Sequence, residues 1–589
     1  MSGLAAALWL LGLYAAAPAL RSGERYALAD RGRDALILGV AIPFVLAVLH
    51  ALYPPTCWVA LTLCVAIAVR RRGWHEVLLP SAAGEPVPYL TLGTLVAVAW
   101  PQLMRPLLDG DSLSYHLPNA ASWVQSHSLW TTATHYWWYP PGSELFAAGL
   151  YDVASPFALP WCGFVALALL GFRIAAFARA TFAAPPALAD ALAAATIATY
   201  PLAIQGGTLQ NDVWLAAFFL ESLAALGTSG DRTAAMRTLA ITAIIKPQGW
   251  IFAVIALVAR RAPREVWLTV AAAVGLWIAR DALLWNSAIL APASTAYGDI
   301  AGSTIAAHGG AALLLLLRVG VSISPFALIA LAAALLAPAL LPKHRALGWS
   351  AFAAALLFFV LPFGYDTSVA QLATGASLRF AAPAVAAGAL VLAPIAARFS
   401  YVAIALFWAG AAYGILYVFG IFWNDGSTHA ALPVALAAVA IAALVRNRQA
   451  VWAPATAFGV AVVAATHLAG RHPIDYYADS LRVGRAQPGI YRWLATRHPP
   501  QVGGWGLRLG VVNVLSPATR TMDLPDGAPC AIARRYGVLL TAVAQNDLTP
   551  ELNAQRLTVA RNCGAVAYED PIAVVAHPSG AATSSPAEP

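Results

Sequence analysis

Apolar runs of membrane-helix length recur from the N-terminus to Ala469, and the short loops between them alternate between basic and uncharged. A helix that crosses a bilayer needs about 20 mostly apolar residues. Runs at 4–20, 35–52, 56–69 and 88–104 meet or approach that length, the third being short unless its flanks join it. Hydrophobic residues make up 60% of the chain and charged ones 11%, whereas a soluble domain is about 45–50% apolar and about 25% charged. The pattern predicts an α-helical polytopic membrane protein. The formal charge of +8 belongs to arginines and lysines in short loops, as expected for cytoplasmic loops. No basic face with base-stacking aromatics stands out, which sets nucleic acid aside as a partner.

Placing the basic loops in the cytoplasm gives every loop a side. Arg21, Arg25, Arg31 and Arg33 fall in one basic loop and Arg70, Arg71 and Arg72 in another. The N-terminus and the loop after Met104 then lie outside. Arg173 and Arg179, Arg232 and Arg237, Arg260 and Arg261, Lys343 and Arg345, Arg398, and Arg446 and Arg448 all fall inside. The apolar stretches 238–245 and 250–259 are each too short to cross, and they read as a pair of helices meeting near Lys246 at the outer side. The total is about 16 crossings within residues 1–469. The first run lacks a charged leader and reads as a retained helix rather than a cleaved signal.

From about Gly470 the texture changes. Residues 470–577 are polar and carry strand-like runs at Leu509–Leu515, Val538–Ala544 and Ile572–Ala576. Helical stretches lie near Pro488–Arg497 and Pro550–Asn562. This predicts a small C-terminal α/β domain on the extracytoplasmic side. Cys530 and Cys563 fall in it and are candidates for a disulfide there. Cys57, Cys64 and Cys162 sit in or beside apolar runs, where a thiol acts as a small hydrophobe. The tail 578–589, rich in Ser, Ala and Pro, reads as disordered.

The residues with chemistry to offer cluster on the expected outer side. Asp109 and Asp111 open a polar, aromatic loop, 105–155, between apolar runs. Carboxylates at a membrane surface are costly unless they face water, a partner or a substrate; helix capping is the structural alternative. Tyr115 and His116 follow, His116 being a candidate to orient a carboxylate, to bind phosphate, or simply to be a satisfied structural histidine. Gln210, Asn211 and Asp212 open a later helix, either as caps or as a second polar group facing the same cavity. Lys246-Pro247-Gln248-Gly249 interrupts an apolar run, and Pro and Gly would expose backbone groups of the kind that line a cavity. Lys246, Arg280 and Arg379 are cations at outer helix ends, against the general trend. Arginine suits bidentate phosphate binding, while an interfacial role near headgroups is the plainer reading. Trp130, Tyr136, Trp137, Trp138 and Tyr139 read first as an interfacial aromatic belt. Asp109, Asp111 and Asp212 have the oxygens for a divalent ion, and the sequence requires neither a metal nor another cofactor.

The order of these pieces, DSLSYHLPNAASWVQ (111–125), YPPGSEL (139–145), QND (210–212), KPQG (246–249), the Arg280–Asn286 stretch and SLRFAAP (377–383), resembles the GT-C superfamily of integral-membrane glycosyltransferases. The likeness spans roughly residues 100–400. It is nearest to the bacterial phospholipid-carrier-dependent group, relatives of protein O-mannosyltransferases and of the lipid A aminoarabinose transferase. The resemblance implies a GT-C-like helical bundle in the bacterial inner membrane and a polyprenyl-phosphate-linked sugar donor. It also implies an extracytoplasmic active site and an acceptor that is a glycan, lipid or protein. By motif position Asp111 would be the catalytic carboxylate, and Arg379, Lys246 and Arg280 would hold the donor phosphate. Tyr115, His116, Gln210, Asn211 and Asp212 would contact donor or acceptor. The chain departs from the group in its three apolar segments before the one that leads to the acidic loop. It departs also in having DGD where several relatives have Asp-Glu, so Asp109 and Asp111 both remain candidates. The alternatives are a carrier that flips lipid-linked sugars without chemistry, and an O-antigen polymerase or ligase using pyrophosphate-linked glycans.

Overall fold

The computed structural model describes residues 2–20, 28–78, 87–227, 231–288, 305–360, 376–422, 452–471, 473, 477, 488–544 and 548–579. It is mostly helical, with one small sheet near the C-terminus. Four helical stretches are long and apolar enough to cross a membrane: Ser2–Leu20, Pro156–Phe182, Arg264–Leu284 and Leu378–Ile421. Shorter apolar helices such as Tyr89–Leu103, Pro325–Leu340 and Arg345–Val360 accompany them. Length and composition thus support four crossings among the described residues, and the larger expected count remains a proposal. Arg21 and Arg25, the expected crossing at 429–445 with Arg446 and Arg448, and the tail from residue 580 lie outside the described residues.

Two local features of the helical part depart from the loop reading or refine it. Arg31 and Arg33 do not sit in a solvated loop. They belong to the helix Leu28–Val48 and are buried. Arg31 Nε donates to the Tyr14 carbonyl at 2.9 Å, and Arg33 pairs with Asp30 and Asp34 from its own helix. Local acids and carbonyls partner these cations, although Arg33 Nη2 has no hydrogen bond among the described residues, and pairing of this kind lets buried arginines stay charged.

The Lys246 region is a helical hairpin. Helices Arg232–Ile244 and Gly249–Ala259 flank the turn. A Cβ at Gly249 would lie 2.2 Å from the Thr242 carbonyl oxygen. On a straight helix those two residues would be about 10 Å apart along the axis. The chain therefore doubles back, and only glycine permits the approach.

The C-terminal part carries β1 (Gln501–Trp505), β2 (Arg520–Asp523), β3 (Leu539–Val543), β4 (Gly564–Asp570) and β5 (Ala573–Pro578), in the spatial order β2-β1-β3-β5-β4. β1 pairs in parallel with β2 and β3, and β5 is antiparallel to β3 and β4. Helix Pro550–Arg561 starts where expected, with the Thr549 hydroxyl accepting from Leu552 N at 3.4 Å and proline in its first turn. Cys530 and Cys563 are joined as a disulfide. The expected strand at Leu509–Leu515 is instead a helix. A short apolar run buried on all sides has no periodicity to separate strand from helix. This run is buried because it lies against the Ser112–His116 turn: a Cβ on Gly510 would meet the Leu113 carbonyl oxygen at 2.4 Å.

The same side of the small domain grips the acidic loop by further contacts. Gln125 Nε2 donates to the Thr519 carbonyl at 2.8 Å, and Thr521 N donates to Gln125 Oε1 at 3.2 Å. Asp523 N donates to the Ala133 carbonyl at 2.8 Å, and His135 N donates to Asp523 Oδ2 at 2.7 Å. The domain is a buttress for the loop that holds Asp111.

Candidate active site

Asp109-Gly110-Asp111 leads into a π-helical turn, Ser112–His116, and then the helix Leu117–Ser126. Such turns are uncommon and concentrate at functional sites. The two carboxylates divide their work. Asp109 Oδ1 accepts from Ser112 N at 2.8 Å and so caps the turn. The Asp111 side chain makes no cap bond and forms an ion pair with Arg379 Nη2. Burial pushes the Asp109 carboxyl above the ordinary carboxylate range, and its bonds to Ser112 act against that.

Asp212 lies in the first turn of the helix Asp212–Gly227, yet it does not cap it. Gln205 does so instead, its Oε1 accepting from Val213 N at 2.9 Å. The Asp212 carboxylate is left to form an ion pair with Lys246 through Oδ1, and its Oδ2 lies 3.8 Å from Arg379 Nε. The four side chains form one chain of charges: Asp111, Arg379, Asp212, Lys246. Four separate parts of the sequence supply them. The Phe380 ring lies beneath both cations, 4.8 Å from Arg379 Cζ and 5.2 Å from Lys246 Nζ. The inner end is closed, with Asp212 at 4% and Lys246 at 10% exposure; the outer end is open, with Asp111 at 31% and Arg379 at 21%. The hydroxyl of Ser112 ties the segments together by accepting from Leu209 N at 2.8 Å.

Tyr115 forms a wall beside this chain. Its ring centroid is 4.1 Å from that of His116, 4.8 Å from Tyr136 and 5.7 Å from Tyr139. Burial and the nearby Asp111 carboxylate hold its hydroxyl proton on to well above the usual range, against the pull of Arg379. The aromatic cluster is therefore not only a belt: Tyr136 and Tyr139 pack around the residue that faces the ions. Gln210 reaches toward Asp109, its Nε2 at 3.5 Å from Oδ1. Asn211 turns away to donate to the Ile245 carbonyl at 3.4 Å, bracing the Lys246 turn.

His116 and Arg280 both make their contacts away from the ion chain. His116 Nδ1 lies 2.6 Å from Glu144 Oε1, and Ser143 Oγ donates to Glu144 Oε2 at 2.9 Å. His116 is thus anchored within the loop, and its carboxylate partner is Glu144, which the sequence reading did not single out. The available signal was an acid opening a helix inside the YPPGSEL piece. Arg280 stands apart from the ion chain. Its Nε and Nη2 donate to the Leu129 carbonyl at 3.2 and 2.6 Å, Nη2 also to Thr131 O at 3.1 Å, and Nη1 to Trp137 O and Asp281 Oδ1 at 2.7 Å each. All five of its N–H donors are engaged. Arg280 is a clamp on the 129–137 stretch, with no donor left for a phosphate.

The three aspartates do not share a cation pocket. Asp111 and Asp212 meet across the Arg379 guanidinium, and Asp212 also holds Lys246. Among the described residues no group of three or more His, Cys, Asp or Glu has metal-binding geometry.

No protein-family model matches the chain, and no curated protein matches it. Two solved structures do, both of ArnT from Cupriavidus metallidurans, the lipid A aminoarabinose transferase already mentioned. The structure bound to undecaprenyl phosphate is 15% identical, with 84% of this chain and 99% of that chain covered and a TM-score of 0.49. The apo structure is 14% identical, with coverage of 82% and 97% and a TM-score of 0.45.

Proposed function

We propose that the chain is an integral-membrane glycosyltransferase. It moves a sugar from a polyprenyl-phosphate carrier to a glycan, lipid or protein acceptor on the outer face of the bacterial inner membrane. The observation that carries the reading is the convergence of Asp111, Arg379, Asp212 and Lys246 in one chain of ion pairs whose Asp111–Arg379 end is open.

The chemistry follows from what each group has to spare. A donor phosphate competes with Asp111 for the Arg379 guanidinium. When phosphate takes that position, Asp111 is released beside the anomeric carbon as a general base. The acceptor hydroxyl gives its proton to Asp111 as its oxygen bonds to the anomeric carbon. The bond from that carbon to the phosphate oxygen breaks, and its electron pair stays on the phosphate. Arg379 and Lys246 stabilise the charge that builds there. Asp212 keeps both cations aimed inward, and Tyr115 lines the sugar side. Arg280 has no part in this scheme beyond holding the loop.

The test is to incubate the purified protein with a panel of polyprenyl-phosphate monosaccharides, with and without chelator, and to score released lipid phosphate. Asp111→Asn should lower turnover about 10²–10⁴-fold while still binding the carrier. Flux that persists in Asp111→Asn without any lipid phosphate released would mark a flippase. Turnover only with pyrophosphate-linked glycans would mark a polymerase or ligase.

A further inference from the structure

We infer that Tyr477, Gln210 and Asp109 form a second subsite beside the ion chain, built to take a hydroxyl group of a carbohydrate. The inference rests on the reading of the chain as a sugar transferase and adds to it the place where a neutral part of a substrate is held.

Tyr477 falls in sequence between the helix Trp452–Ala469 and the small domain. It is 2% exposed, and its hydroxyl has no hydrogen-bond partner among the described residues. The same is true of two other buried atoms, Asp109 Oδ2 and Gln210 Oε1. The three belong to one neighbourhood. The Asp109 carboxylate acts on the Tyr477 hydroxyl electrostatically, and the Gln210 amide lies 3.5 Å from the other Asp109 oxygen. Buried polar groups are nearly always paired. Three orphans gathered from three distant parts of the chain are what a ligand-binding surface leaves behind.

Their chemistry selects the ligand. Asp109 Oδ2 and Gln210 Oε1 accept, and the tyrosine hydroxyl both donates and accepts. A phosphate, which needs donors, would meet two acceptors here. The cations that suit it, Arg379 and Lys246, lie in the ion chain with Asp111 and Asp212. A hydroxyl fits: it donates to Asp109 or Gln210 and accepts from Tyr477. Asp109 is two residues from Asp111, so a sugar at the ion chain reaches both. The hydroxyl belongs to either the donor sugar or the acceptor.

The test uses the full-length protein and Tyr477→Phe, which keeps the ring and removes the hydroxyl. Gln210→Leu serves as a second variant that leaves the tyrosine in place. Three quantities are read: affinity for bare polyprenyl phosphate, affinity for the polyprenyl-phosphate monosaccharide that the wild type turns over, and KM for its acceptor. Bare carrier should bind within twofold of wild type. A donor hydroxyl weakens the sugar-linked carrier about 5- to 15-fold, as expected for one hydrogen bond. An acceptor hydroxyl raises the acceptor KM by a similar factor and leaves both carrier affinities alone. Either result supports the subsite. It is overturned if all three quantities stay within twofold in both variants, as for an internal water or a structural tyrosine. It is overturned also if the bare carrier weakens as much as the sugar-linked one. A wild type that binds no polyprenyl phosphate sinks the proposed function and the subsite together; active variants indistinguishable from an active wild type sink only the subsite.

Discussion

The helix Asp212–Gly227 carries two acids that are used in opposite ways. Asp212 stands in its first turn, and Glu221 lies about 13–14 Å further along the axis. Glu221 is fully buried and meets Arg173 twice, Nε to Oε1 at 2.7 Å and Nη2 to Oε2 at 2.7 Å. Arg173 also reaches Asp30 at 2.6 Å, and Arg33 completes the group through Asp34 at 2.9 Å and Asp30 at 3.3 Å. This lower cluster joins three helices, Leu28–Val48, Trp161–Phe182 and Asp212–Gly227, and its arginines are shut away from solvent. The upper chain uses the same parts, carboxylates and cations, but leaves Asp111 and Arg379 partly open. Composition does not separate a scaffold from a site here. Access does: a ligand can compete for an ion pair only where one end can be reached.

The sharpest way to break the comparison is to cut each cluster once. Arg173→Met removes one partner of a closed pair and strands Glu221 without its main cation. Loss of one partner in a buried pair costs about 3–5 kcal/mol, so the variant should unfold much earlier or fail to accumulate, as followed by thermal unfolding in detergent. Arg379→Gln cuts the open chain. Asp111 can hydrate, and Asp212 keeps Lys246, so stability should change little. Turnover of a polyprenyl-phosphate sugar should fall about 10²–10³-fold, the scale for losing one charge-stabilising donor. If the two variants exchange phenotypes, the assignment of scaffold and site is reversed.

The sequence made the upper chain far more legible than the lower one. Asp111, Asp212, Lys246 and Arg379 each broke a local rule: an acid in an expected outer loop, a polar triplet opening an apolar helix, a Lys-Pro break, a cation at an expected outer helix end. Rule-breaking in an apolar chain is visible without coordinates. Arg33 and Arg173 broke none, because basic residues near inner helix ends are what the charge rule expects. Their burial depends on which acids the folded chain brings to them, and Glu221 lies 48 positions from Arg173. Arg280 misled for the complementary reason: it broke the rule for the backbone carbonyls of residues 129, 131 and 137, which no spacing reveals. In the small domain β3 and β5 were readable as short apolar strand-like runs. The stretch 509–515 was not, since what decides its form is its packing against Ser112–His116.

That packing gives a third test, with a smaller effect. The turn that follows Asp111 packs against the small domain, whereas the lower cluster joins three helices of the helical part. Gly510→Val would put side-chain atoms into the Leu113 backbone, where even a Cβ meets the carbonyl oxygen at 2.4 Å and the Cα at 2.6 Å. The helix Leu509–Leu515 must then move off the π-helical turn. Because a shift of about 1 Å in a reacting group can cost up to about 10²-fold, turnover should fall about tenfold. The lower cluster should be untouched, with the amides of Trp161–Phe182 keeping wild-type hydrogen-exchange protection. Protection lost there as well would mean that the two ends of the molecule are not separable.

The smallest effect concerns a third way to hold an acid, by a proton rather than a cation. Asp523, where the small domain meets the loop, has no ion-pair partner among the described residues; its Oδ2 accepts from His135 N at 2.7 Å. Burial pushes its carboxyl up to about 7, and the His135 N–H opposes that only in part. The folded chain therefore holds this proton to higher pH than the undocked or unfolded chain, where the ordinary value is near 4. The stabilisation is fully present below that ordinary value and is lost as pH rises through about 7. Asp523→Asn keeps an acceptor for His135 N and cannot titrate. The imidazole of His135 is held below its ordinary value by burial, with Asp526 opposing, so docking also weakens as pH falls. That contribution is common to both proteins and cancels in their difference. Between pH 5 and pH 8 the wild type should lose domain-docking stability relative to Asp523→Asn, read as faster amide exchange at Ala133–His135 and a lower Tm. A difference that stays flat across that window would mean that Asp523 is ionised throughout, and that water reaches this contact as freely as it reaches Asp111.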